Sequence, residues 1–191
     1  MIILIIFLII SILIHEAGHL IASKICKCPV LVYSVGFGKP VLFKKTIGKT
    51  QYQLTPWLLG GFVSLYKETE YSRSKYAFSN LKYSRKIFIL LAGILVNLLA
   101  GLISCLIALK VFNYNLMLFG LLNITLGITN LIPFATCIDG GYAVYFPHFV
   151  KKYGQKRGVE RFAKNSKFSF KIIMYINILT IVGYIIYLII K

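Results

Sequence analysis

Residues 1–22 read MIILIIFLIISILIHEAGHLIA, and the five residues His15-Glu16-Ala17-Gly18-His19 inside that apolar run decide how the chain is read. Only Ser11 is polar ahead of the motif, so the run predicts a helix long enough to cross a bilayer, for which about 20 residues are needed. On such a helix His15 and His19 lie four residues apart and project from one face. That spacing suits two nitrogen ligands on one zinc ion. Glu16 follows the first ligand, placed to activate a water rather than to hold the metal. Two histidines and a carboxylate are costly to bury in a hydrophobic span unless they have a task, which separates this motif from chance HExxH runs in soluble proteins.

The rest of the composition agrees with a membrane setting. The chain has 191 residues, 58% of them hydrophobic, and a mean hydropathy of +0.79, which excludes an ordinary soluble domain. Its net charge of +17 is segregated from the apolar runs. The charge therefore suits loops against anionic lipid headgroups, with the lipid bilayer as partner and no nucleic acid. Cys26, Cys28, Cys105 and Cys137 follow no secreted disulfide pattern; the Cys26-Lys27-Cys28 pair has the spacing to grip a metal, and the preferred reading is of reduced thiols near the inner membrane surface. The first segment lacks the basic start and small-residue cleavage site of a cleaved signal peptide.

Four stretches are apolar enough to span, at about 2–23, 87–109, 115–135 and 171–190. Of the 22 basic residues, twelve lie between Lys24 and Lys86 and eight between Lys151 and Lys171, leaving Lys110 and Lys191. The two long connections are therefore expected in the cytoplasm, with both termini and the short loop near Asn113 outside. His19 then sits roughly 8 Å from the inner end of its span, on the cytoplasmic side. Between Pro29 and Tyr66, β-branched and aromatic runs punctuated by Gly36, Gly38 and Pro40 predict short strands with a turn near Ile47-Gly48-Lys49. They form either a sheet edge that holds an unwound substrate by strand addition or a hairpin resting on the membrane. In the second span, Gly93, Asn97 and Gly101 recur every four residues as a small, polar stripe suited to close helix packing.

A catalytic zinc needs a third protein ligand. After Glu70 the candidates are Asp139, His148 and Glu160, and the thiol of Cys137 stands close to the first of these. Pro133 is expected to open the third span beside Asn130, and Gly140-Gly141 to let backbone pass close to the metal helix. Asp139 is preferred to Cys137, since an oxygen ligand leaves the metal more electrophilic.

In HEAGH, Gly36-Phe37-Gly38, Trp57-Leu58-Leu59-Gly60-Gly61-Phe62-Val63, Ala92-Gly93 with Asn97, and Asn130-x-x-Pro133 leading to Asp139-Gly140, the chain resembles the site-2 protease family of intramembrane zinc metalloproteases. The interval from Pro133 to Asp139 is one residue longer than the family's commonest form. The resemblance implies one zinc ion held by His15, His19 and Asp139, with Glu16 as general base and Asn130 positioning the substrate. The expected architecture is an all-α polytopic membrane protein of about four transmembrane helices, with a small juxtamembrane β-hairpin or sheet element (about 29–66), in a single domain over 1–191. The expected activity is that of a zinc-dependent membrane endopeptidase in a bacterial plasma membrane, cutting membrane proteins, signal-peptide remnants or peptide precursors. The alternative is a non-catalytic metal-binding scaffold or metal carrier. The residues do not speak to oligomeric state.

Overall fold

An apolar run in a bilayer must satisfy its backbone hydrogen bonds within itself, and helix formation does so. The structure, a computed structural model, describes residues 2–190, with the side chains of 1, 59, 177–178 and 180–191 outside the description. Helices α1 (Ile2–Ile25), α2 (Tyr83–Val111) and α3 (Tyr114–Leu131) are each long and apolar enough to cross a membrane. The fourth expected span, 171–190, falls in the second half of a longer helix, and most of its side chains lie outside the description.

Four strands join α1 to α2: β1 (Val30–Phe37), β2 (Phe43–Ile47), β3 (Thr50–Leu54) and β4 (Trp57–Leu65). Their order is β2-β3-β1-β4, so the element is a four-stranded mixed sheet. β2 and β3 pair antiparallel around Gly48, whose positive φ of 62° glycine adopts without strain. β1 runs parallel to β3 and antiparallel to β4. Burial explains this order. β1 buries most of its residues and takes a central place, whereas every residue of β2 is exposed and β2 takes an edge. The sheet is pinned to α1 where the Tyr33 hydroxyl donates to the Leu13 carbonyl at 3.0 Å, two residues before His15.

Beyond α3 the chain departs from the expected polar connection. It forms α4 (Asp139–Tyr153) and then α5 (Gln155–Ile190). The reason is an aromatic core: Phe78, Tyr142, Phe146 and Phe162 pack with ring centroids 4.5–5.6 Å apart. Tyr142 and Phe146 are four residues apart on one face of α4, which is thereby held against α2 and α5. Pro147 lies inside α4 and cannot donate to the Ala143 carbonyl, and the Tyr83 hydroxyl of α2 donates to that carbonyl instead, at 3.0 Å. Cys26 and Cys28 are buried in the same core as free thiols.

The small-residue stripe of α2 performs close packing, as its spacing predicts. A Cβ at Gly101 would lie 2.8 Å from the Gly120 carbonyl oxygen of α3, and one at Gly120 would lie 2.9 Å from that of Gly101. Gly101→Leu should therefore push α2 and α3 apart and cost about 1–3 kcal/mol. Unfolding of the purified variant in detergent micelles measures this, and an unchanged midpoint would remove the contact from the account of stability.

Candidate metal centre

α1 places His15 and His19 on its buried face, and the first turn of α4 delivers Asp139 to the same point. His15 Nε2 lies 3.0 Å from Asp139 Oδ2, His19 Nε2 lies 3.1 Å from the same oxygen, and the two Nε2 atoms are 3.1 Å apart. The ring of His19 is oriented from behind, with Nδ1 2.8 Å from the Ile89 carbonyl of α2. A carbonyl only accepts, so Nδ1 carries the proton, and in the neutral ring Nε2 presents its lone pair to the cluster. His15 Nδ1 is buried without a partner among the described residues; with Nε2 unprotonated on both rings, the two nitrogens and the carboxylate oxygen repel one another at this separation unless a positive charge sits between them. Two nitrogens, one oxygen and a hydrogen bond orienting a histidine from outside are what a catalytic zinc site requires, with a fourth position left open. The donor set fits the metal.

Clearance around the imidazoles comes from glycine. A Cβ at Gly93 of α2 would clash with His19 Nε2 and lie 2.9 Å from His15 Nε2. Gly18 meets the same turn, where a Cβ would come 2.9 Å from Gly93 Cα. Gly93 thus has a second duty beyond helix packing, because any side chain there would occupy the metal position. Gly140 and Gly141 depart from expectation. They approach the end of α3 at Leu131 and the loop that follows it at Ala135, folding Asp139 back beneath α3. The close approach to the metal helix is made by α2.

A cavity of about 420 Å³ opens beside the three ligands. Glu16 and Asn130 line it, with Trp57, Gly60, Gly61 and Phe62 of β4. Glu16 is buried and touches the strand: a Cβ at Gly61 would lie 2.8 Å from its Cγ. Asn130 occupies the last turn of α3, its Nδ2 donating to the Leu126 carbonyl at 3.0 Å. Cys137 also lines the cavity but is not one of the converging ligand atoms. His148 and Glu160 are exposed on α4 and α5, outside the cavity. Asn97 is fully buried in the cavity wall, with neither carboxamide atom hydrogen-bonded among the described residues.

The sequence reading missed Glu68. It lines the cavity from the turn after β4, and burial pushes its carboxyl up to about 7. Its position in a polar stretch carried no periodic signal that could have marked it.

The profile of Peptidase family M50 matches residues 3–117, which include His15, Glu16 and His19 and end before Asn130 and Asp139. A protein of Neisseria meningitidis is 35% identical over 129 residues, 65% of this chain and 25% of the relative. One of Treponema pallidum is 48% identical over 56 residues, 29% of this chain and 12% of the relative. One of Borreliella burgdorferi is 38% identical over 102 residues, 48% and 23%. All three bear the name "Putative zinc metalloprotease". The chain spans a quarter or less of the length of these relatives.

The ligand geometry sets Asp139 against Cys137. Asp139→Asn should lose most bound zinc, whereas Cys137→Ala should keep it, with metal content of the purified variants as the measurement. The opposite pattern would make the site His-His-Cys.

Proposed function

The chain belongs to Peptidase family M50, the site-2 protease family, and from that premise we propose that it is a zinc-dependent membrane endopeptidase cutting peptide bonds in or near transmembrane segments. Its substrates are membrane proteins, signal-peptide remnants or peptide precursors. The observation that carries this reading is the convergence of His15, His19 and Asp139 beside a free Glu16 and the open edge of β4. A scaffold or carrier has no use for Glu16 in that place, and among the described residues the converging ligands form one group, with no path of sites across the spans.

His15, His19 and Asp139 hold the metal. Zinc, when bound, supplies Lewis-acid polarisation of the scissile carbonyl and lowers the pKa of water in its open position. Glu16 takes the proton of the attacking water and passes it to the leaving amine. Asn130 positions the substrate. A transmembrane helix hides its carbonyls in its own hydrogen bonds, so the substrate must unwind before it is cut. The unwound stretch exposes N–H and C=O groups at several kcal/mol each in an apolar medium. Among the described residues β4 pairs only with β1, and its other edge satisfies those groups by strand addition. Gly61 leaves room for Glu16 against the strand, and Gly60 leaves room for the Phe37 ring of β1.

In the full reading the single domain crosses a bacterial plasma membrane four times. Both termini are outside, and the metal centre is nearer the cytoplasm. The exposed Leu42, Phe43 and Ile47 at the β2 edge rest against the bilayer.

Two measurements test this reading. Glu16→Gln should retain zinc and fold while cleavage of a model transmembrane substrate falls by about 10²–10⁴-fold; undiminished cleavage would remove Glu16 as the base and sink the protease reading. Cysteine tagging should find positions 45 and 156 accessible from the cytoplasm and position 113 from outside, as the segregation of basic residues requires. An external position 45 would invert the topology.

A further inference from the structure

The hydrolytic reading leaves one acidic group of the cavity without a task. Glu68 is partly buried in the cavity wall, in the turn that follows β4. Its backbone N–H donates to the Leu65 carbonyl at 3.3 Å, and its Oε2 accepts from the Leu65 N–H at 3.2 Å. That turn needs an acceptor oxygen and does not need a charge, since a glutamine would make the same bond. Among the described residues no basic side chain pairs with Glu68, although the chain carries 22 of them. Neighbouring Lys67 pairs with Glu70 instead. Lys167 lines the same cavity, and its charge acts on Glu70. The charges of His19 and Asp139 act on Glu68 from the metal-ligand cluster but neither residue pairs with it; a desolvated carboxylate without a paired cation is costly, and the cost is removed when a cation enters beside it.

We infer that Glu68 is a specificity-determining residue that receives a lysine or arginine side chain of the peptide lying along β4. This rests on the proposed function above and narrows its substrate class to segments with a cationic residue near the cut. The strand sets the spacing. Gly61 touches Glu16, and Leu65 binds Glu68, four residues further along β4. At 3.3 Å per residue the two points are about 13 Å apart. A substrate strand paired with this edge therefore carries its cation about four residues from the scissile bond.

The test uses the full-length, zinc-loaded protein in detergent and a series of transmembrane peptides in which one lysine or one glutamine is walked across six positions on either side of the cut. The expected lysine-to-glutamine ratio of kcat/KM is about tenfold at the position four residues away, carried in KM. It should fall to about one in Glu68→Gln with zinc content unchanged. In Glu68→Lys the preference should reverse toward glutamate at the same position, an outcome that a purely structural role for the turn would not produce. A wild-type protein indifferent to lysine, or a preference that survives both substitutions, overturns the role of Glu68. Peptide binding to Glu16→Gln, read by fluorescence anisotropy, separates this inference from its premise. Lysine-selective binding that depends on Glu68, in a protein whose parent cuts nothing, would sink the protease reading and keep the cation site.

Discussion

Three ligand atoms brought within 3.1 Å of one another inside an apolar structure are the constraint on which the rest depends. Two imidazoles and a carboxylate lose much of their hydration there, and a shared positive charge compensates for the crowding of their lone pairs. Each neighbouring element answers to that need. α1 supplies two ligands one helical turn apart, and α4 begins at the third. α2 contributes absence at Gly93 and orientation through the Ile89 carbonyl. The aromatic core of Phe78, Tyr142, Phe146 and Phe162 holds α4 in place, so the position of Asp139 is set by packing well away from the metal.

The sheet answers a different requirement. A helix in hydrocarbon has no spare backbone donors or acceptors, and a peptide opened for hydrolysis has several. A strand edge beside the metal ligands is the simplest device that offers both kinds of partner in register. β4 stands at such an edge, joined through β1 to the Tyr33–Leu13 hydrogen bond that ties the sheet to the metal helix. Under the proposed function, the substrate's own backbone bonds and its bonds to this edge would be alternatives, and unwinding would proceed at a modest net cost.

Glycines show how the same residue type is legible at one level and opaque at another. The four-residue spacing of Gly93, Asn97 and Gly101 announces a packing stripe, and Gly101 is used so against Gly120. Gly93, on the same stripe, clears the metal position, which no spacing along α2 could reveal because the partner lies on α1. Gly140 and Gly141 suggest a close approach, and one exists, but toward Leu131 at the end of α3 and Ala135 in the loop after it. Glycine in a sequence says that something comes near and does not say what.

By itself, the sequence determined the properties that follow from local periodicity and composition. These are apolar runs long enough for a bilayer, two histidines on one helix face with a carboxylate beside them, β-branched segments that cannot be spans, and an acidic residue after a proline break. It could not determine what depends on the meeting of residues far apart in the chain. The strand order placing β1 between β3 and β4 follows from relative burial, which exists only once the sheet packs against α1. α4 hides in the sequence because its apolar face is short and interrupted by Pro147, whose lost hydrogen bond is replaced from α2 by Tyr83. The choice of Asp139 over Cys137 is two residues wide in sequence and is made by the turn in which α4 begins. Glu68 reaches the cavity only because β4 ends beside it. Side-chain chemistry is written residue by residue, but convergence is a property of packing, and packing is decided by the whole chain at once.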